Sequence, residues 1–474
     1  MNSSDLQWAG AAALSHEIRA KRISARAVTA DLLARIDRFD SALNSFITRP
    51  GAEALAEAET VDAALADGRD PGRLAGVPVT VKDQIFTKGL RTTGGSSVYA
   101  DYVPTEDSIH VARLRAAGAV VTGKTNTPEF GMYWRTIGNV ARECLNPWDR
   151  RRTAGGSSGG AAAALAAGFG PVALGSDAGG SIRLPSAQCG VFGLLPSLGR
   201  VPRHGGFGSS HFFSCVGPMA REVRDAARLL SVIAQPYEDD PFCRLDTPPD
   251  YLAGIEDGIA GQRIGWWDNV AADGFSDPRI LAATREAFAL FGTLGATLID
   301  DALRFDTTGV DEAWKVMDFA DRYASLGQDI MADPDKAAHL APYARTRFDW
   351  SATLPASDYS RAIDRRWRLI RDLDTLFRDV DLLVSPTLGI ISPVVDPNDL
   401  TLRIPALVSY TLPVNMAGYC AASVPCGFVD GLPIGMQIIG RPNEEARVLQ
   451  AARAFEKARP WNHVHPDLSE ELAQ

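Results

Sequence analysis

Residues 155–183 read GGSSGGAAAALAAGFGPVALGSDAGGSIR, two glycine-serine runs joined by an alanine-rich stretch and an apolar one. Ala161 to Ala167 predicts a helix closed by Gly168, and Pro171-Val172-Ala173-Leu174-Gly175 predicts a strand that delivers the chain to Asp177. Ser157 sits in the first run and Ser181 in the second, 24 positions apart. Glycines allow backbone conformations that other residues avoid, and they let amide N–H groups converge on a small anion. A serine hydroxyl is a poor nucleophile near neutral pH, so it needs a neighbouring base and donors for the oxyanion formed on attack. Lys82 stands 75 residues before Ser157 and can be that base if burial keeps it neutral. Together the three residues can build a hydrolase nucleophile without histidine.

Working outward, Gly76-Val77-Pro78-Val79-Thr80-Val81-Lys82 predicts a short buried strand with Lys82 at its end. Ser24 predicts the cap of a helix through Ala27, Val28, Leu32, Leu33 and Ile36. A second helix is predicted from Ala52 to Leu65, ended by Gly68, and a third from Ser108 to Ala117, stopped by Gly118 before the strand Ala119-Val120-Val121. Strand alternating with helix predicts an α/β protein with a sheet covered on both faces. Beyond about residue 235 the glycine signatures stop and helices are predicted at 278–293, 310–332 and 357–379. This middle stretch reads as the variable, substrate-facing part, and a glycine-rich tract from Pro413 to Gly440 resumes the core pattern.

The chain of 474 residues is long enough for a large buried core, with 46% hydrophobic and 22% charged residues and a formal net charge of −10. That charge disfavours nucleic acid and anionic membranes as partners. Cys144, Cys189, Cys215, Cys243, Cys420 and Cys426 are scattered with no ligand spacing, which predicts reduced, buried side chains and no metal site. The start carries no basic stretch before an apolar run, and residues 153 to 176 are too rich in Gly, Ser and Ala for a membrane helix. These features predict a soluble cytoplasmic enzyme.

Three other readings of the motifs compete. Gly118 to Thr125 fits a P-loop pattern, but the residues between its glycines are themselves the predicted strand, and Pro128 follows too soon for a long phosphate-binding helix. Gly155-Gly156-Ser157-Ser158-Gly159 satisfies the G-x-S-x-G elbow. An elbow follows a strand, however, and Asn146 to Arg152 is not read as one; His204, His211, His339, His463 and His465 lie in no acid-paired setting. Flexible turns, or a phosphate nest at the alanine-rich helix, would explain one glycine-serine run better than two in this arrangement.

At this point the chain resembles the amidase signature hydrolases. The likeness runs from Val81-Lys82-Asp83 through Gly123-Lys124-Thr125-Asn126-Thr127-Pro128-Glu129, Asn146-Pro147-Trp148 and both serine motifs. It continues through Gly217-Pro218-Met219-Ala220, Pro386-Thr387, Asn415 to Gly418 and Gly431 to Gln437. The resemblance implies an α/β amidase-signature fold: a large central mixed twisted sheet covered by helices on both faces. It implies one domain over residues 1–474: an N-terminal helical segment (1–70), a catalytic core with both serine loops (71–235), a variable substrate-facing helical part (236–400) and a C-terminal core segment (401–474).

The same resemblance implies that Ser181 attacks the carbonyl, Ser157 bridges, and Lys82 is the ultimate base, with a cis peptide bond at Gly156–Ser157. The oxyanion would rest on the backbone amides of Ala178, Gly179, Gly180 and Ser181. Ser158, Asp177 and Arg183 would support the loops. Gly131, Met132, Tyr133 and Trp134 lie in the segment that flanks the acyl pocket in the family, and Arg200 lies beyond the nucleophile; all five are candidate substrate-binding residues. No cofactor or metal is implied, and the partner is a small amide, ester or carbamate, with the protein a monomer or homodimer.

The chain also departs from family habit. After Cys189 to Leu194 it has Leu195-Pro196-Ser197 where most members have lysine and then Pro-Thr, and Cys420 replaces a usual proline. Leu184-Pro185 stands where the transfer-RNA amidotransferase subunit commonly has Gln-Pro. Bulky aromatics and few charges near the site favour an apolar acyl or aryl amide, as in aryl acylamidases and urethanases. The alternatives are the glutamine-hydrolysing subunit of an aminoacyl-tRNA amidotransferase, and a family scaffold that binds an amide without hydrolysing it.

Overall fold

The computed structural model describes residues 3–208, 210–267, 275–396 and 405–468. In chain order its strands are β1 (Phe46–Thr48), β2 (Pro78–Lys82), β3 (Val120–Thr125), β4 (Leu145–Asn146), β5 (Asp149–Thr153), β6 (Val172–Asp177), β7 (Phe192–Leu195), β8 (Cys215–Ala220), β9 (Arg263–Trp267), β10 (Thr297–Leu303), β11 (Leu382–Pro386), β12 (Cys420–Val429) and β13 (Leu432–Gly440). β4 and β5 form a small hairpin. The other eleven make one sheet in the order β1-β3-β2-β6-β8-β7-β12-β13-β11-β9-β10. It is mixed: β2 runs parallel to β3 and β6, and β9 parallel to β10 and β11, while the remaining pairs are antiparallel.

The sites of strand and helix follow local chemistry. Val79 and Val81 in β2 and Val172 and Leu174 in β6 are 0% exposed, as strands covered on both faces must be. Each such side chain contributes roughly 1.5–3 kcal/mol by leaving water. Ser24 caps the helix Ala25–Phe39 by accepting from the Ala27 N–H, and Ser108 caps Ile109–Ala116 through the Val111 N–H. The helix Gly159–Ala166 is buried along its whole length. A Cβ on Gly160 would lie 2.4 Å from the Asn126 nitrogen and 2.5 Å from the Ser45 oxygen. That closeness explains the run of glycine and alanine.

β3 is longer than its sequence predicts and includes Gly123, Lys124 and Thr125. Lys124 donates to the Ile85 carbonyl and to Thr87 Oγ1, so it ties down the chain after β2 from inside a buried strand. The middle stretch also differs from its helical reading, because it supplies β9, β10 and β11 at one end of the sheet. Its long predicted helix divides into Val310–Arg322, a π-turn at Tyr323–Gly327 and Gln328–Met331. The π-turn sets Gly327 against the Phe348 ring, where a Cβ would lie 2.7 Å away. Helices at Pro278–Thr293 and Ala356–Leu376 match their predicted ranges closely. All six cysteines are buried and free. No described helix is long and apolar enough to cross a membrane.

Candidate active site

Parallel pairing of β2 with β6 brings the end of one strand beside the end of the other, with Val81 opposite Leu174. Lys82 ends β2, and Ser176 and Asp177 end β6. The turn into the helix Gly159–Ala166 brings Ser157 and Ser158 to the same place, and the Gly156–Ser157 peptide bond is cis. Lys82 Nζ lies 2.7 Å from Ser157 Oγ and 3.0 Å from both Ser158 Oγ and Ser176 Oγ. The Ser158 N–H donates to the Ser181 carbonyl at 3.0 Å, holding the two serine loops together. Ser157 and Ser181 line one cavity.

Lys82 is fully buried, and burial is the main reason its pKa lies well below the ordinary 10.5. The positive charge of Arg322 pushes it down further, and the negative charge of Asp177 opposes both. In its neutral form the amine has two N–H donors and one lone pair for three hydroxyl neighbours. Ser158 donates its own proton to the Ser176 carbonyl at 3.2 Å and Ser176 donates to Gln84 Oε1 at 3.2 Å. Both hydroxyls are left to accept from Lys82. The neutral form leaves the lone pair for the Ser157 proton, so with a neutral amine this arrangement can draw a proton from Ser157. Ser176 and Gln84 escaped the sequence reading, although each stands within two residues of a residue it singled out.

The second loop is organised by Asp177. Its carboxylate accepts the Gly180 N–H at 2.6 Å, the Ile182 N–H at 3.1 Å and Arg183 Nε at 3.1 Å. Burial pushes this carboxyl up, but the charge and N–H groups of Arg183, with Asn415, outweigh it and hold the pKa below the usual value. Arg183 also reaches Gln437 and Asn415. The expected set of four oxyanion donors needs a correction, because Gly180, at φ +130°, spends its N–H on Asp177. The N–H groups of Ala178, Gly179 and Ser181 have no protein acceptor among the described residues. The carbonyls of Ala178 and Gly179 are held from outside, by Trp314 Nε1 at 2.7 Å and Thr411 Oγ1 at 2.8 Å.

The substrate-binding candidates separate. Gly131 lines the cavity. Met132 instead packs with Phe130 and Phe348, Tyr133 stacks on Tyr343 with ring centroids 4.8 Å apart, and Trp134 packs against the cluster of Leu184 and Leu388. Arg200 is also placed away from the cavity, since Asp246 and Asn443 Oδ1 each accept from its guanidinium at 2.9 Å. A carboxylate partner elsewhere decides its direction.

Among the cavity-wall residues that sequence reading passed over are His110, Phe207, Arg203 and Arg322. Phe207 is the hub of an aromatic cluster, 5.1 Å from Phe86, 4.8 Å from Tyr99 and 6.0 Å from Phe130 between centroids. Arg322 pairs with Asp318 at 2.9 Å and donates to the Phe130 and Gly208 carbonyls. His110 donates Nε2–H to the Pro202 carbonyl at 2.6 Å, and burial pushes its pKa down to about 4.

One ground for rejecting the G-x-S-x-G elbow changes. A strand, β5, does precede Ser157. What separates this site from that motif is the bond between Ser157 and Lys82, with the histidine in the cavity wall committed to Pro202.

The Amidase family model matches residues 27–449. The glutamyl-tRNA(Gln) amidotransferase subunit from Moorella thermoacetica is 37% identical, over 98% of this chain and 99% of its own. The structure of 6-aminohexanoate cyclic dimer hydrolase superposes with a TM-score of 0.89 at 29% identity, covering 98% of this chain and 99% of that one. A bacterial aryl acylamidase of the amidase signature family superposes at 0.87 and 28% identity, covering 96% and 97%. By family match and by fold, this chain belongs to the amidase signature enzymes and cleaves amide carbon–nitrogen bonds.

Proposed function

We propose that the protein hydrolyses small amides with apolar or aryl groups through an acyl-enzyme on Ser181, with Ser157 as relay and Lys82 as base. Aryl esters and carbamates are further substrates of the same chemistry. The observation that carries this reading is the buried Lys82, its pKa pushed well below the ordinary value by burial, bonded to Ser157 at 2.7 Å, with Ser157 and Ser181 in one cavity. Ser181 Oγ attacks the carbonyl carbon, its proton passes to Ser157, and the Ser157 proton passes to the Lys82 lone pair. The oxyanion rests on the N–H groups of Ala178, Gly179 and Ser181. Collapse breaks the C–N bond as the proton returns through Ser157 to the leaving nitrogen, which is a poor leaving group until protonated. Water then repeats the attack on the acyl-enzyme and releases the acid.

Support for an apolar or aryl group comes from Phe207 in the cavity wall, with Phe86 and Tyr99 packed against its ring, and from likeness to the aryl acylamidase. Substituting Ser181→Ala should lower hydrolysis of 4-nitroacetanilide at least about a thousandfold. Unchanged turnover in that variant sinks the reading.

A second reading makes the chain the glutamine-hydrolysing subunit of an amidotransferase, and the curated relatives weigh for it more than for aryl specificity. A panel of anilides, aliphatic amides, aryl esters, carbamates and glutamine separates the two. Turnover confined to glutamine in the presence of an aminoacyl-tRNA partner replaces the first reading with the second.

A further inference from the structure

The helix Val310–Arg322 belongs to the stretch without glycine-serine motifs, yet it sends Trp314 onto the second serine loop. Trp314 Nε1 donates to the Ala178 carbonyl at 2.7 Å. A Cβ on Gly179 would lie 3.1 Å from the indole Cζ2, so the ring covers that glycine closely. Phe213 and Phe319 bracket the indole at 6.2 and 5.8 Å between centroids.

The Ala178 carbonyl and the Gly179 N–H belong to one planar trans peptide unit, and its two ends point in opposite directions. Anchoring the oxygen on the indole therefore aims the N–H away from Trp314, and the residues Ala178 and Ser181 on either side of this loop line the cavity. A donor on the carbonyl also polarises the peptide and strengthens its N–H as a donor in turn. The next peptide unit is spent at both ends, since the Gly179 carbonyl accepts from Thr411 and the Gly180 N–H goes to Asp177. Of these two units, only the one held by Trp314 has its N–H free for a ligand.

We propose that Trp314 is a positioning residue that aims and strengthens the Gly179 N–H as an oxyanion donor. The inference rests on Ser181 being the nucleophile. It also gives the helix that carries Arg322 a second part in the site, through one hydrogen bond to the loop.

Trp314→Phe keeps an aromatic ring against Gly179 and removes the indole N–H. With 4-nitroacetanilide, kcat should fall about tenfold with KM unchanged, equivalent to about 1.4 kcal/mol of transition-state stabilisation. A trifluoromethyl ketone that adds Ser181 and presents an oxyanion should bind about tenfold more weakly, while the matching alcohol, which forms no adduct, binds as before. If Trp314→Phe melts below the assay temperature, replacing Trp314 with β-(3-benzothienyl)alanine keeps the indole shape without the N–H and is held to the same results. Unchanged kcat and ketone affinity overturn the proposal, as does a rise in KM alone, which would mark a role in pocket shape. Loss of the proposal leaves the contrast between wild type and Ser181→Ala intact, whereas turnover by Ser181→Ala removes the underlying reading.

Discussion

Lys82 Nζ and Ser176 Oγ lie 3.0 Å apart across two neighbouring parallel strands. The contact matters because a neutral amine has two protons to give, and Ser176, whose own proton goes to Gln84, can only accept one. With Ser158 placed likewise, Ser157 becomes the hydroxyl that faces the lone pair. Ser176→Ala should lower kcat about tenfold, the size of one hydrogen bond in the transition state. The ammonium form also loses an acceptor, so the acidic limb of the kcat/KM profile should move to lower pH, and Ser176→Thr should restore both. An unmoved profile in Ser176→Ala contradicts the proton assignment.

Lys82 links activity to stability. Burial lowers its native pKa well below the ordinary 10.5, so between the two values unfolding takes up a proton. Stability at this site therefore rises as pH climbs from the depressed native pKa toward 10.5. Lys82→Met should abolish turnover and remove this dependence. Comparing melting temperatures between pH 7 and 10.5, the wild type should gain on the variant as pH rises; parallel curves would show that Lys82 is charged in the native protein.

Glu129 gives the opposite slope. It accepts from Ser96 Oγ at 2.5 Å and from the Ala341 N–H at 2.7 Å, which ties the segment after β3 to the middle stretch. Burial pushes its pKa up from 4.5 to about 7. Between these values the native state holds a proton that the unfolded chain has lost, so stability from this site is present below pH 4.5 and lost as pH rises through 7. The wild type should lose about 3 kcal/mol relative to Glu129→Gln across that window. Denaturant titrations at pH 4.5 and 7 would measure it, and equal losses in both proteins would remove Glu129 as the source.

Arg183 neutralises Asp177 in a fully buried pair at 3.1 Å. Arg183→Met should cost about 3–5 kcal/mol, because it leaves a buried carboxylate without its cation. Turnover should fall with it, since Asp177 holds the Gly180 N–H. A melting temperature equal to that of the wild type would show that the loop does not depend on this pair.

Much of this site is legible in the chain because its chemistry is carried by local motifs. Ser157 and Ser181 flank one helix and one strand, and Lys82 ends a run of β-branched residues, so element prediction alone places all three at strand or helix ends. Arg200 shows the limit. A lone arginine near a motif has no local signal for direction, and Asp246 and Asn443, 46 and 243 residues away, draw it elsewhere. Strands β9, β10 and β11 were hidden for a related reason: charged, helix-rich surroundings masked short apolar runs whose strand character depends on pairing at the far end of the sheet.

Residue identity and local periodicity determined which atoms are available: a lysine at a strand end, hydroxyls in glycine loops, and amides free to converge. Tertiary structure decided what those atoms do. Parallel pairing of β2 and β6 set Ser176 beside Lys82, burial and Arg322 lowered its pKa, Asp177 claimed the Gly180 N–H, and Trp314 crossed from a distant helix to hold the Ala178 carbonyl. Each of these depends on distances between segments far apart in the chain. A proton or a hydrogen bond responds to such distances within a few tenths of an ångström, and composition and spacing along the chain do not encode them.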